Sequence, residues 1–168
     1  MMATAHPTIA MRPMLPADAP LLAEIFRASI EELAAEDYSE TQREAWAAAA
    51  DDEAAFGERL AKQLTLVGTM EGSPVGFASL KAPDVIDMLY VHPAAGGGGV
   101  ATMLVNALEK LAAARGAGKL TADVSDSAVD FFQKRGFVPQ TRNTRPLGSE
   151  WLANTTMEKK LTAKEKAP

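Results

Sequence analysis

The first candidate for chemistry is a run of four glycines, Gly96 to Gly99, between the segments VIDMLYV and VATMLVNALEKLAAA. The first segment has the composition of a strand, and the second repeats apolar residues at helical spacing. The first N–H groups of a helix lack intrahelical acceptors, and the helix dipole adds positive charge there. Glycine lets a ligand approach this backbone closely, so the run predicts a phosphate-binding turn. A flexible connector without a ligand is the alternative.

The second candidate is Asp87, the charged residue of the otherwise uncharged segment VIDMLYV. Strand alternation would place it on one face with Val85, Leu89 and Val91. A carboxylate among apolar side chains needs a partner or a function. We therefore expect Asp87 either to act as a base or to be hydrogen-bonded to a neighbouring strand or loop.

The elements before these candidates are predicted to be one short strand, TIAMRPM, and three helices. Asp18 could cap the first helix, and Ser39 with Gln42 forms a capping box for the second. Another acidic cap precedes the third, DDEAAFGERLAKQ. The core-facing positions predicted for the first helix are Leu21, Leu22, Ile25, Phe26, Ile30 and Leu33.

The remainder of the chain alternates strands and helices. LTLVGTME and VGFASLK, joined by GSP, predict an antiparallel hairpin. Gly116 is expected to end the helix that follows the glycine run. The strand KLTADV, a short helix capped by Ser125 or Asp126, and the strands GFVPQTRN and EWLANTTMEKKL complete the pattern.

Composition narrows the functional classes. A chain of 168 residues with 47% hydrophobic residues suits a single domain over 1–168, with a core over about 8–161 and a frayed tail at 162–168. The net charge of −5 and the scattered basic residues argue against nucleic-acid binding. The sequence has no cysteine and only two histidines, so we expect no metal site. Without an apolar run long enough for a membrane span or a signal core, we expect a cytoplasmic protein that does not bind membranes. A homodimer remains open.

The segments VIDMLYVHPAAGGGGVATMLVNALEKLAAARG, LTADVSDSAVDFFQKRGF and WLANTTMEKKL resemble the GNAT superfamily of N-acetyltransferases in order, spacing and residue type. The resemblance extends from about Thr8 to Leu161 and is strongest from Val85 to Phe137. It implies a single-domain α/β (mixed α+β) fold, with a mixed, mostly antiparallel sheet splayed at the fourth strand and helices on both faces. It also implies acetyl-CoA as acyl donor, with pantetheine in the splay and pyrophosphate on the next helix.

The resemblance further implies which residues contact acetyl-CoA. They lie on the fourth strand, in the glycine-rich turn and around the short helix: Met88, Leu89, Tyr90, Val91, Gly96, Gly97, Gly98, Gly99, Val100, Ala101, Thr102, Asp126, Phe131, Phe132 and Arg135. Gly99 and Ala101 match the family turn, but Gly96 and Gly98 stand where a polar or basic side chain is usual. Losing such a charge-assisted hydrogen bond would cost about 1.5 to 3 kcal/mol of cofactor affinity. Arg135 could reach the phosphates, or only cover an exposed helix face.

Acetyl transfer to an amine requires a proton acceptor, a polarised carbonyl and a proton for the leaving thiolate. Asp87 is the predicted base, and backbone N–H groups from Leu89 to Val91 would polarise the carbonyl. The resemblance implies a tyrosine after the fifth strand as acid, but Phe132 stands there. Water, Tyr90 or Tyr38 could substitute, and Tyr90 is our candidate. Glu36 and Tyr38 fall in the segment that resembles part of the family's acceptor pocket.

The predicted function is direct transfer of acetyl from acetyl-CoA to a primary amine of a small molecule or peptide. A non-catalytic acyl-CoA-binding module is the alternative, since Phe132 cannot donate a proton and the turn lacks its polar side chains. Dinucleotide binding is a second alternative, because Gly96, Gly98 and Ala101 fit the spacing of the dinucleotide-binding fingerprint and Asp123 follows at the required distance. The hairpin that precedes the glycine run argues against dinucleotide binding, since that fingerprint normally follows the first strand of its fold.

Overall fold

Seven strands form one sheet in the computed structural model, which describes residues 7–161. Their order is β1-β2-β3-β4-β5-β7-β6. Every neighbouring pair is antiparallel except β4 and β5, which are parallel. The strands are β1 (Ile9–Pro13), β2 (Leu64–Met70), β3 (Ser73–Lys81), β4 (Val85–Val91), β5 (Lys119–Ser125), β6 (Val138–Leu147) and β7 (Glu150–Lys160). The tail predicted at 162–168 lies outside the described residues.

Helices cover both faces of the sheet. The five α-helices are α1 (Ala19–Leu33), α2 (Glu40–Ala47), α3 (Glu53–Ala61), α4 (Val100–Ala114) and α5 (Val129–Lys134). Helices α1 and α3 pack on one face around Phe26, Phe56 and Phe77. Helices α4 and α5 pack on the other face around Leu104, Leu108 and Phe132. Within the described chain, no helix has the length and apolar character needed to span a membrane.

The caps of α2 and α3 agree with the sequence prediction. Ser39 Oγ accepts the Gln42 N–H at 3.1 Å, and Gln42 Oε1 accepts the Ser39 N–H at 2.9 Å. Asp52 caps α3 by accepting the Ala55 N–H at 3.0 Å. Gly116 follows the last turn of α4 with φ at +91°, a backbone conformation that glycine adopts without strain. These local signals were therefore sufficient to locate the starts of α2 and α3 and the end of α4.

Asp18 is not the side-chain cap of α1. Its carboxylate accepts the Leu15 N–H at 2.7 Å and pairs with Arg12 of β1 at 2.8 Å and 2.9 Å. The hydrogen bond from Arg12 is the main reason why the pKa of Asp18 lies below its usual value. This half-buried ion pair connects the first strand to the start of α1.

Three further sequence expectations are corrected by the packing. Leu21 and Leu33 were assigned to the core face of α1, but they are 46% and 51% exposed. Neither Ser125 nor Asp126 caps α5, because a 3-10 turn over Asp126–Ala128 precedes that helix and Ala128 occupies the cap position without a side-chain bond. The helical period was correct, but the width of the buried stripe was overestimated.

The sheet splays between β4 and β5. These strands pair only at Val85 with Thr121 and Ile86 with Ala122, and beyond that point no β4–β5 pairing is present in residues 7–161. On the other side of β4, the register with β3 shifts between Ser79 and Leu80. The shift leaves Asp87 as the extra residue of a bulge, which changes the direction of its side chain.

Candidate functional site

The splay opens a cleft of about 250 Å³. Its walls come from β4 and β5, from the end of α1, from α2, from the first turn of α4 and from α5. A larger groove of about 670 Å³ lies beside β2 and α3, and it includes no residue of β4 or of the glycine-rich turn. The smaller cleft therefore joins the candidates of β4 with Ala101 and Phe131, whereas the four glycines, Val100, Thr102 and Arg135 are not part of its wall.

The glycine-rich turn presents open backbone donors. His92 Nδ1 accepts the Ala94 N–H at 3.0 Å, which fixes the start of the turn. The N–H groups of Gly96 and Gly98 bond within the turn, to Pro93 O at 3.1 Å and Ala95 O at 3.3 Å. The predicted turn donors that have no acceptor among the described residues are the N–H groups of Gly97, Gly99, Val100, Ala101 and Thr102.

Backbone conformation explains two of the four glycines. Gly97 and Gly99 have φ at +81° and +89°, where a side chain would be strained. Gly99 is the N-cap residue of α4, so its conformation directs the chain into the helix. The turn thus combines the open N–H groups with the positive end of the α4 dipole, an arrangement suited to an anion.

Arg135 lies beside this helix end. Its Nη2 donates to Thr102 Oγ1 in the first turn of α4, and its Cζ stacks 4.6 Å from the centroid of the Phe131 ring. Its Nε is buried and has no acceptor among the described residues. In that same part of the chain, no carboxylate forms a salt bridge with Arg135. The guanidinium therefore adds an uncompensated positive charge next to the open N–H groups.

Backbone donors of β4 also face the splay. The His92 N–H donates to Val75 O at 2.7 Å, next to β3. Because N–H groups alternate between the two sides of a strand, those of Leu89 and Val91 point away from β3. The β4–β5 pairing ends at Ile86, so these donors meet the cleft instead of a neighbouring strand. The sequence analysis named the N–H groups from Leu89 to Val91 as candidates to polarise the carbonyl. Of these, only the N–H groups of Leu89 and Val91 face the cleft.

The Asp87 carboxylate accepts hydrogen bonds from a residue of α3 and from a residue just after that helix. Arg59 donates from Nε to Oδ2 and from Nη2 to Oδ1, each at 3.1 Å, and Gln63 Nε2 donates to Oδ2 at 2.9 Å. The predicted common face with Leu89 and Val91 is wrong, because the bulge turns Asp87 toward α3 while those two pack on the α4 side. The Asp87 side chain is 17% exposed, and the residue lines the cleft.

Tyr90 lies next to Asp87 in an aromatic cluster. Its hydroxyl accepts the Trp46 N–H at 3.2 Å, and its ring contacts Phe26 at 4.7 Å and Phe77 at 5.8 Å between centroids. Desolvation is the main cause that raises the pKa of Tyr90 to about 12. The phenol is therefore protonated near neutral pH, and its own proton has no acceptor among the described residues.

Tyr38 connects three parts of the chain. Its hydroxyl donates to Ala153 O at 2.6 Å and accepts the Asp126 N–H at 2.9 Å, and the side chain is buried. The Asp126 carboxylate pairs with Arg142 at 3.0 Å. Glu36 is exposed, and neither it nor Tyr38 is part of the cleft wall. The structure thus places Glu36, Tyr38 and the Asp126 side chain beside the cleft and not in it.

The remaining predicted cofactor residues divide between wall and core. Phe131 lines the cleft and carries the stacked Arg135, whereas Phe132 is 4% exposed and packs against Phe137. Met88 lines the cleft but is buried toward α1 and α3. Sequence reasoning missed Ser29 and Leu33 of α1, Ala34 directly after it, and Ser125 of β5 as wall residues. No local signal marks them, since they continue ordinary helix and strand patterns.

The sequence is similar to known acetyltransferases. The model of the acetyltransferase (GNAT) domain matches residues 34–161. The uncharacterized N-acetyltransferase YafP of Escherichia coli K12 is 34% identical over 152 residues, which cover 90% of this chain and 96% of YafP.

Two solved structures show the same architecture. A GCN5-related N-acetyltransferase from Rhodopseudomonas palustris, "Aminotransferase, Class-II", is 61% identical with a TM-score of 0.90, over 96% of this chain and 99% of that one. The PaiA N-acetyltransferase of Thermoplasma acidophilum, solved with coenzyme A, is 22% identical with a TM-score of 0.74, over 91% and 99% of the two chains. The latter likeness concerns the fold.

Proposed function

Because the chain belongs to the GNAT superfamily of N-acetyltransferases, we propose that it moves the acetyl group of acetyl-CoA directly to a primary amine of a small molecule or peptide. Acetyltransferase activity and acetyl-CoA as donor follow from the family. The acceptor class and the residue roles are our proposal. One observation supports them most: a single cleft is lined by Asp87, by Tyr90 and by Ala101, whose N–H group in the first turn of α4 has no acceptor among the described residues.

The donor half of the cleft would bind acetyl-CoA through its backbone. Open N–H groups at Gly97, Gly99 and the first turn of α4 suit the pyrophosphate, and Arg135 supplies a cation beside them. The pantetheine arm would follow β4 into the splay. There the N–H groups of Leu89 and Val91 would bind the thioester carbonyl and stabilise negative charge on its oxygen.

The acceptor half would supply the proton transfers. The amine nitrogen attacks the carbonyl carbon and forms the C–N bond, and collapse of the intermediate breaks the C–S bond. The amine proton passes to the Asp87 carboxylate, directly or through a water, after Arg59 or Gln63 yields one of its hydrogen bonds. The departing thiolate takes a proton from the Tyr90 hydroxyl, the group that replaces the tyrosine missing at Phe132. The proton held by Asp87 then returns through water to the Tyr90 phenolate, so that overall one proton moves from the amine nitrogen to the sulfur.

Release of free thiol from acetyl-CoA across a panel of amines tests this proposal. We expect Tyr90→Phe to lower kcat about tenfold to a hundredfold, and Asp87→Asn to lower it by about 10² or more, while the Kd of acetyl-CoA changes little. Lys62→Gln, an exposed change beside α3, is the matched control and should be neutral.

The competing hypothesis of a non-catalytic acyl-CoA-binding module predicts a different result. Such a protein would bind acetyl-CoA in calorimetry but release no thiol with any amine. Wild-type kcat in both Tyr90→Phe and Asp87→Asn would leave acetyl transfer in place but remove our assignment of the acid and the base.

A further inference from the structure

The acceptor half of the cleft has an apolar wall. Ile30, Leu33 and Ala34 form it from the end of α1, and the Trp46 side chain continues it from α2. Leu33 is 51% exposed although it belongs to this wall. A bound acceptor would cover part of this exposed leucine, so the wall favours a ligand with hydrocarbon surface.

The two charged residues that line the cleft, Asp87 and Asp123, are already paired. The Asp87 carboxylate is held by Arg59, and the Asp123 carboxylate accepts from Arg145 at 3.3 Å and from Thr156 Oγ1 at 2.6 Å. These two carboxylates and two arginines sum to no net formal charge. The cleft therefore offers no excess negative charge to a ligand with several cations.

Other acidic residues near the cleft do not alter this balance. Asp37 accepts the Ser127 hydroxyl at 2.9 Å and is exposed, and Glu36 is exposed as well. Neither carboxylate is part of the cleft wall. A polycationic acceptor would find both of them outside the cleft, in water that screens their charge.

We propose that the acceptor is a monoamine carried on an apolar body, an alkylamine or arylalkylamine. This inference rests on the proposed acetyl transfer and specifies its substrate class. The amine lies toward Asp87 and Tyr90, and its hydrocarbon part lies against Leu33 and Trp46. Amines with a second cation, such as polyamines and free lysine amide, bind less well because the cleft gives that charge no free partner.

Free-thiol release measured with 2-phenylethylamine, hexylamine, spermidine and lysine amide tests the inference. We expect kcat/KM for the two apolar monoamines to exceed that for spermidine and lysine amide by about tenfold or more. Leu33→Gln should lower kcat/KM for the monoamines about threefold to tenfold and leave the KM of acetyl-CoA unchanged.

Leu21→Gln is the matched control. It makes the same exchange on the same helix at a leucine that is 46% exposed and lies outside the cleft wall, so every kinetic constant should stay at the wild-type value. Preference for spermidine or lysine amide, or an equal loss with both leucine variants, would overturn the substrate class while acetyl transfer stands. Absence of thiol release with every amine would instead refute the proposed function.

Discussion

Replacing Ala101 by aspartate should separate helix stability from cofactor binding. Ala101 occupies the first turn of α4, its N–H has no acceptor among the described residues, and it lines the cleft. A carboxylate at this position is favourable for the helix dipole by about 0.3 to 1 kcal/mol. For a chain of this size, each kcal/mol corresponds to about 2 to 4 °C, so the Tm should stay constant or rise slightly.

Acetyl-CoA binding should respond in the opposite direction. A carboxylate about 5 Å from a phosphate charge is repelled by about 1 to 3 kcal/mol at effective dielectric constants between those of the protein surface and water. That energy corresponds to a rise in Kd of about fivefold to 150-fold. Isothermal titration calorimetry measures the Kd, and differential scanning calorimetry measures the Tm of the same samples.

Two control variants isolate the charge and its position. Ala101→Asn keeps the size of aspartate without its charge and should weaken binding much less. Asn106→Asp adds the same charge to the exposed side of α4, beyond the first turn, and should leave the Kd unchanged. A folded Ala101→Asp protein with wild-type affinity would refute the phosphate-binding role of the turn. Gly99→Glu is a weaker test, because φ at +89° would strain any side chain there.

Two further predictions concern charges outside the cleft centre. Arg135→Gln should raise the Kd of acetyl-CoA about tenfold or more and retain kcat at saturating acetyl-CoA. Lys134→Gln, at the exposed neighbouring residue, should leave the Kd unchanged. Equal Kd values for the two variants in calorimetry would contradict the role of Arg135. Asp18→Asn should destabilise the fold by about 1.5 to 3 kcal/mol at pH 7. Since the pKa of Asp18 is lowered in the folded state, its contribution is present above the unfolded value of about 3.9 and is lost as the pH falls through the folded pKa. Chemical denaturation should therefore show that the free energies of unfolding of wild type and Asp18→Asn differ less at pH 3 than at pH 7. An equal difference at both pH values would contradict this reasoning.

Local signals determined much of the fold. The capping box at Ser39, the acidic cap at Asp52 and the glycine at position 116 depend on neighbours within a few residues, and the structure places them as predicted. The mixed sheet and its splay at the fourth strand came from the resemblance to a known family. Neither could be obtained from periodicity alone, because the parallel pairing of β4 and β5 joins segments that α4 separates.

Long-range contacts account for what the sequence did not predict. Alternation placed Asp87 on the wrong face, because a bulge depends on the register with β3 and leaves no mark in VIDMLYV. Its partner Arg59 lies 28 residues earlier in the chain. The exposure of Leu33 is equally invisible in the helical pattern, since it depends on where the cleft opens beside α1.

The position of Arg135 offers a physical account of the unusual glycine-rich turn. A cation beside a helix N-terminus is unfavourable by about 0.3 to 1 kcal/mol, because the dipole there is already positive. Stacking on Phe131 and the bond to Thr102 nevertheless hold the guanidinium at the start of α4, without a carboxylate partner in residues 7–161. A bound pyrophosphate would turn this repulsion into attraction for both the guanidinium and the open N–H groups. We therefore expect Arg135, directly after α5, to supply the charge absent at Gly96 and Gly98, so that flexible glycines and strong phosphate binding are compatible in one turn.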